Sequence, residues 1–435
     1  MRNRINNSSS EKPRNRYIGL LTTAFIASLS FNASADVEFL HWWTSQGERK
    51  ALAILEQQLE TSPLKISTSS VLGGGGDSAM TVLQARALAG NTPSFAQIEG
   101  PSIKAWDAIG ILHSINDVAK THRWDETLYP LSIDVNKTEN GFVALPLTLH
   151  RLNWLWVNHR LLKQLNLEAP KTWPDMFEAM EQAKLEGLMP LAIGKQPWQI
   201  AQLFESLVIA SGGVDFYKTA LVDLNRNNID SAQMRHALKQ FRRLSDLLNS
   251  HSGPNAQYEP LANQKWDTAT AALASDTALF QLGGDWILGD LMAKGISVPS
   301  HIGCYPAPQS HNIFLYNMDS FIFMASKEFS KHKANQVANI LADKDFQARF
   351  NKVKGSIPVR TDIDMSTFNA CQIQSYNDFN YANQHGLTAP SMTDSMAVNP
   401  VAQQAINSEI FRYYRNHQVS EDEIIKRIIS IAESN

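Results

Sequence analysis

The sequence predicts an exported α/β protein large enough to fold as two domains, and three observations predict it. Strand-like and helix-like segments alternate through the first hundred residues after a leader. The chain has 435 residues, of which 43% are hydrophobic and 19% charged. Its first 35 residues carry the layout of a secretory signal. Alternation of this kind builds a mostly parallel sheet with helices on both faces. A chain of this length and apolar content buries a substantial core and is long enough to divide.

The leader comes first. Arg2, Arg4, Lys12, Arg14 and Arg16 precede an apolar stretch from Ile18 to Phe31, and the small residues Ala33-Ser34-Ala35 follow. A basic, apolar and small-residue order is that of a cleaved signal peptide, here ending after Ala35. The apolar stretch is broken by Thr22, Thr23 and Ser28 and is too short for a membrane span. Residues 36–435 carry 34 basic and 41 acidic side chains, a net charge near −7, which excludes nucleic acid as a natural partner. Export places the chain in an oxidising, periplasm-like space. There Cys304 and Cys371, its two cysteines, form either one disulfide or two buried thiols.

Val37–His41 reads as a first strand. Ser45-Gln46-Gly47-Glu48, followed by Leu52, Leu55 and Leu59, reads as a capping box that opens an amphipathic helix. A second unit runs from a strand at Ile66–Leu72 through Gly73–Gly76 into a helix with Met80, Leu83 and Ala87 on one face and Asp77 as its N-cap. Around Gly141–Asn158 a strand at Phe142–Leu145, interrupted by Pro146, gives way to an aromatic-rich strand at Asn153–Val157, where a domain boundary fits. Helices are expected over Trp173–Gly187, Ile200–Ser211 and Ser231–Leu248, and strands over Ala278–Leu282 and Asn312–Met324. A second capping box, Ser420 to Glu423, opens a last helix.

Sequence motifs for catalysis and cofactors are missing. Gly73–Gly76 is not followed by Gly-Lys-Ser/Thr and lacks the Rossmann spacing. No Gly-x-Ser-x-Gly, no His-Glu-x-x-His and no His/Cys metal spacing occurs, and the twelve histidines are scattered. A pair of glycosidase carboxylates stays open, because their separation in space decides it. The salient feature is Trp42-Trp43 at the exit of the first strand. In open α/β sheets ligands bind beyond the carboxyl ends of the strands, and neighbours on a strand point to opposite sides, so one indole faces that crevice. A flat aromatic face beside polar side chains suits a sugar, with its apolar C–H faces and rim of hydroxyls.

Several short segments keep a common order: His41–Glu48, Gly74–Met80, Gly100-Pro101, His150–Trp154, Gln196–Gln199, Gly284-Asp285-Trp286, Asn317–Ser320 and Lys354–Arg360. Together they resemble the periplasmic glucose/mannose-type binding proteins of ABC sugar transporters, members of extracellular solute-binding protein family 1. The resemblance spans nearly the whole chain after the leader. It implies a two-lobed periplasmic binding protein fold (type II, maltose-binding-protein-like) with the ligand cleft between lobes. The lobes would be 36–146 with 320–360, and 147–319 with 361–435.

By the same resemblance Trp42 and Trp43 stack on or flank the sugar, Glu48 accepts from its hydroxyls and Trp266 closes the far wall. Asp319 and Lys354 bind further hydroxyls, and Asp77 joins the candidate set from the glycine-rich turn. Each has a plainer alternative: Glu48 reaching back to Ser45, Asp319 capping a turn, Lys354 on the surface. Asp285 and Trp286 are expected to support the hinge or wall rather than touch ligand.

Two departures from the family stand at Glu99, in place of a lysine, and at Asp394, in place of a histidine. With Glu48 and Asp319 they would make an acidic cleft suited to a cationic amino sugar such as glucosamine. The resemblance also implies a separate permease and ATPase, a chemoreceptor as a further partner, a monomeric state, no cofactor and no catalysis. On this reading Trp43→Ala weakens binding more than folding.

Overall fold

The computed structural model describes residues 37–71, 77–249 and 265–434. The expected signal peptide and the Gly73–Gly76 turn lie outside the described residues. So does the side chain of Asp77, which is the first residue of the helix Asp77–Leu88. Among the described residues, no helix is long and apolar enough to cross a membrane.

Among the described residues, three sheets of four or five strands organise the chain, beside the small pair Lys137–Thr138 and Gly141–Phe142. The first has the strand order Ile66–Ser70, Val37–His41, Phe95–Ile98, Ser320–Phe323, Ala144–Pro146. Its first three strands are parallel, as the strand–helix alternation requires, and the last two are antiparallel additions from later in the chain. Pro146 does not interrupt a strand. It ends the edge strand Ala144–Pro146, where a missing N–H costs no ladder bond.

The second sheet is ordered Ile302–Pro306, Trp154–Asn158, Ala278–Gly283, Met189–Ala192. Each of these two sheets carries its own core. Phe39, Phe95, Phe321 and Phe323 pack at the first, and Trp154, Trp156, Phe204 and Phe241 at the second.

The third sheet, Ile357–Pro358, Thr148–Arg151, Phe314–Asn317, Thr388–Pro390, joins them. The chain leaves the first sheet at Pro146, passes through Thr148–Arg151 and enters the second at Trp154; it returns through Phe314–Asn317 to Ser320. The single strand expected over Asn312–Met324 is therefore two. Phe314–Asn317 pairs within the third sheet and Ser320–Phe323 within the first, so the run breaks at Met318-Asp319.

Of the two expected capping boxes, one is complete. Ser45 accepts from the backbone N–H of Glu48 while the Glu48 side chain reaches back. Ser420 caps the helix Glu421–Glu433, but the Glu423 carboxylate is drawn away to Arg412 at 2.9 Å and Arg427 at 3.4 Å.

Cys304 and Cys371 form a disulfide, with their Cα atoms 6.1 Å apart. It fastens the strand Ile302–Pro306 to the first turn of the helix Ala370–Gln384, across 67 residues of chain. Both sulfurs lie in the core of the second sheet. Because a cross-link restricts the unfolded chain, Cys304→Ser combined with Cys371→Ser is expected to destabilise the protein by about 2–4 kcal/mol. A urea unfolding curve of the double variant, set beside that of the oxidised parent, measures this; coincident midpoints contradict it.

Candidate functional site

The first wall of the site is built by the turn after the first strand. Trp42 and Trp43 leave that strand, Thr44 follows, and Ser45 opens the helix Gln46–Leu59. Glu48 serves two purposes. Its Oε2 accepts from the Thr44 and Ser45 N–H groups, each at 2.9 Å, while Oε1 faces Lys354 Nζ at 3.5 Å. Lys354 is the last residue of the helix Lys344–Lys354 and is 4% exposed. Its ammonium lies 5.8 Å from the centre of the Trp43 ring.

The two tryptophans differ. Trp43 is 1% exposed and packs against Phe350, Phe39 and Phe321 at ring distances of 5.3, 6.0 and 6.1 Å. It is a core side chain with one edge in the wall. Trp42 is 7% exposed, and its backbone N–H donates to Gln97 Oε1 at 3.2 Å. The burial of Trp43 weighs against the expectation that Trp43→Ala weakens binding more than folding, because the indole packs in the core of the first sheet.

The floor is a buried relay. His150, on the connecting strand Thr148–Arg151, holds Asp285 Oδ1 at 2.5 Å through Nδ1 and Asp319 Oδ2 at 3.2 Å through Nε2. Gln97 donates to the other oxygen of Asp319 at 2.7 Å, and the Arg151 N–H donates to Asp285 Oδ2 at 2.9 Å. Burial opposes the imidazolium, but the two carboxylates outweigh it and raise the His150 pKa to about 9. Burial likewise opposes the Asp319 charge; its bonds to His150, with Lys354 and Gln97, overcome that and lower its pKa.

Opposite the relay, Asn317 Nδ2 donates to Glu99 Oε1 at 2.9 Å, Asp394 Oδ2 at 2.7 Å and the Asp394 carbonyl at 3.0 Å. The loop that carries Asp394 is organised by Glu205, which is fully buried and accepts from Tyr217, Ser391, Thr393 and the Met392 N–H. Burial pushes the Asp394 pKa up to about 7 against the donor of Asn317, with Glu205 adding to the rise. The acidic cleft expected from Glu48, Glu99, Asp319 and Asp394 is thus compensated only in part. Lys354 faces Glu48, the His150 imidazolium faces Asp319, and Asp394 is partly protonated near neutral pH.

Trp198, Trp266 and Trp286 form the far wall, with Trp286 in edge-to-face contact with Trp198 at 6.1 Å and Trp266 at 6.4 Å. These walls enclose a cavity of about 40 Å³. Trp42, Trp43, Glu48, Glu99, Trp266, Asp319, Lys354 and Asp394, all read from the sequence, line it together. Thr44, His150, Trp198, Trp286 and Asn317 line it as well and were not singled out as binding residues. All five fall inside the quoted motifs, so a signal is present in the sequence. Trp286, expected only to support the wall, forms part of its surface.

Near the site, main chain packs against main chain. A Cβ on Gly47 would lie 2.5 Å from the Asp290 nitrogen, and one on Gly100 (φ 45°) would lie 2.1 Å from the Ser395 carbonyl oxygen. Flat indole faces set against fixed carboxylates, an amide and an ammonium offer stacking together with hydroxyl donors and acceptors, a combination matched to a polyhydroxylated ring.

Residues 65–374 match the family described as bacterial extracellular solute-binding protein. The chain belongs to that family. It is 32% identical over 414 residues, 94% of this chain and 97% of the relative, to a probable sugar-binding periplasmic protein of Mesorhizobium japonicum. Over 420 residues it is 31% identical to a protein of the same description from Rhizobium meliloti, covering 95% of this chain and 99% of the relative. Among solved structures, a chitin oligosaccharide binding protein superposes with a TM-score of 0.75 at 17% identity, covering 92% of this chain and 98% of that one. The maltose-bound MalE3 of T. maritima gives 0.71 at 15%, covering 92% and 99%. The fold of this solute-binding protein is accordingly the two-lobed, maltose-binding-protein-like one.

The raised Asp394 pKa has a consequence for stability. In the unfolded chain this group titrates near 3.8, and in the folded protein near 7. Between those values the unfolded state sheds a proton that the folded state keeps, so this contribution falls as pH rises from about 4 to about 7 and is level above. Asp394→Asn removes the effect. Its stability gain over the parent should be near zero at pH 4 and grow by up to about 1 kcal/mol per pH unit to a plateau above pH 7. Urea midpoints at pH 4, 5.5, 7 and 8.5 test this, and a difference independent of pH refutes it.

Proposed function

We propose that this chain is the periplasmic receptor of an ABC sugar importer and binds one neutral, glucose-like sugar ring, or the end of a short oligosaccharide, by closure of its lobes without catalysis. The observation that carries the reading is the small cavity walled by indoles and rimmed by carboxylates, an amide and an ammonium that are already fixed by other partners. The Mesorhizobium and Rhizobium relatives, both probable sugar-binding periplasmic proteins, support it. We assign the lobes as 36–146 with 320–360, and 147–319 with 361–435. Export, with removal of residues 1–35, belongs to the same proposal.

Ligand affinity has to come from contacts that both lobes make only when shut. Trp42, Trp43, Glu48 and Lys354 act from one side, Trp198, Trp266, Trp286 and Asp394 from the other, and Asp319 from the crossing between them. The closed form is then what a separate permease and its ATPase recognise. A chemoreceptor reading the same closed form is a further partner, and the receptor works as a monomer.

Glu48 and Asp319 are each held by several donors, which suits fixed acceptors better than a glycosidase nucleophile and its acid partner.

Calorimetric titration with a panel of mono- and disaccharides is expected to give a dissociation constant in the micromolar range, about −8 kcal/mol. The recovered sugar should be chemically unchanged, and hydrolysis products in the cell overturn the receptor reading. A second expectation separates the tandem tryptophans. Trp42→Ala should weaken binding by about 1–3 kcal/mol, roughly ten- to hundredfold, with a small change in melting temperature. Trp43→Ala should in addition cost about 3–5 kcal/mol of stability. Equal melting shifts in the two variants contradict that division.

A further inference from the structure

Two carboxylates of the cavity meet at a single amide. Asn317 Nδ2 lies 2.9 Å from Glu99 Oε1 and 2.7 Å from Asp394 Oδ2. Glu99 follows the strand Phe95–Ile98 and Asp394 follows Thr388–Pro390, and beside them Gly100 packs against the backbone of Ser395. Both acids are buried. Lys354 is turned to Glu48, and His150 lies between Asp285 and Asp319, so among the described residues no cation bonds Asp394.

The groups behind Asp394 add negative charge. Glu205, on the helix Pro197–Tyr217, is surrounded by the hydroxyls of Tyr217, Ser391 and Thr393 and the N–H groups of Met392 and Thr393. Burial raises its pKa, but donors on both oxygens favour the anion. Asp319 acts on Asp394 in the same sense and His150 against it. From the helix Pro400–Arg415 the neutral Gln403 and Asn407 hold the Thr393 carbonyl, at 3.1 and 3.0 Å. Burial, reinforced by Glu205, is what brings Asp394 to a pKa of about 7.

The cavity is also better supplied with acceptors than with donors. Glu48, Glu99, Asp319 and Asn317 line it, and Asn317 Oδ1 has no partner among the described residues; Lys354 is the charged donor at the other side. A sugar brings ring and hydroxyl oxygens that need donors as well as hydroxyl protons that need acceptors. Asp394 Oδ2 is taken by Asn317, which leaves Oδ1 to carry a proton, and a neutral carboxyl donates where the anion accepts only.

We propose that Asp394 meets the ligand as a neutral acid, donating from Oδ1 to a sugar oxygen, so that the sugar is bound together with a proton. The inference rests on the sugar-receptor reading and adds a dependence on acidity to it. The sugar-loaded protein then keeps the proton above the pH at which the free protein sheds it. Affinity is complete well below pH 7 and falls as the pH rises through it, by up to about tenfold per unit.

The test uses the mature chain and the tightest binder among D-glucose, D-galactose, D-mannose and maltose. Calorimetric titrations from pH 5.5 to 8.5 are expected to show affinity falling by about tenfold or more. Repeated at pH 8 in buffers of different ionisation enthalpy, they should give uptake of about one proton per sugar bound, and about none at pH 5.5. Asp394→Asn copies the neutral acid, with its amide oxygen toward Asn317 and its NH₂ toward the sugar. It should bind at pH 8.5 about as tightly as the parent does at pH 5.5, without proton uptake. Melting curves at both pH values certify that the variant is folded, and the proton count of the parent decides the matter if it is not. A parent affinity independent of pH, or binding without proton uptake, overturns the proposal. So does a slope that the folded variant keeps, the result expected if His150 or another group is the one that titrates. Failure of all four sugars to bind at every pH overturns the receptor reading, and this inference with it.

Discussion

The Asp285–His150–Asp319 bridge is the interaction on which the rest of the site depends. His150 sits on a strand of the connecting sheet, Asp285 follows the last residue pair of a strand in the second sheet, and Asp319 stands where the chain crosses back into the first. Two carboxylates taken out of water would repel each other and be driven to protonate. With an imidazolium between them they stay charged, and the remaining oxygens are satisfied by Gln97 and the Arg151 N–H. Removing the imidazole would leave two uncompensated charges at the crossing point of both lobes. Once the bridge is formed, Asp319 has a fixed direction at the cavity floor, and Lys354 and Glu48 complete the alternation of charge around it.

Around that floor several polar groups at the cavity are held from behind. Glu48 is fixed by the helix N-terminus, Asp394 by Asn317 and by a loop strung on Glu205, and Gln97 by the Trp42 N–H. Groups held in this way lose little freedom when a ligand arrives, so more of the contact energy appears as affinity. The apolar walls are held in the same way, since Trp286 is wedged between Trp198 and Trp266.

Much of this was legible in the sequence, and the physical reason is range. The first strand, the capping box at Ser45 and the helix behind it depend on residues within a few positions of one another, and the periodicity of apolar side chains reports them directly. The candidate cleft residues came from ordered motifs, and eight of the nine line one cavity, the side chain of Asp77 being outside the described residues. What escaped was the pairing. His150 opens one of the ordered motifs, but its partners lie 135 and 169 positions away, so the motif does not reveal what it holds. Burial was equally hidden: Trp42 and Trp43 are neighbours with the same chemistry, and the phenylalanines that draw Trp43 into the core lie far along the chain at Phe321 and Phe350. The switch of sheet at Met318-Asp319 also leaves no trace in hydropathy, because both halves of that run are buried strands.

The contacts at Gly47 and Gly100 leave no room for a side chain. A Cβ at Gly47 would meet the backbone of Asp290 and one at Gly100 the backbone of Ser395, so segments far apart in the sequence lie there main chain against main chain. Gly289 against Lys354 and Gly355 against Asp285 repeat the arrangement. A side chain at any of the four would push those segments apart, and glycine is the residue that lets them pack at this distance.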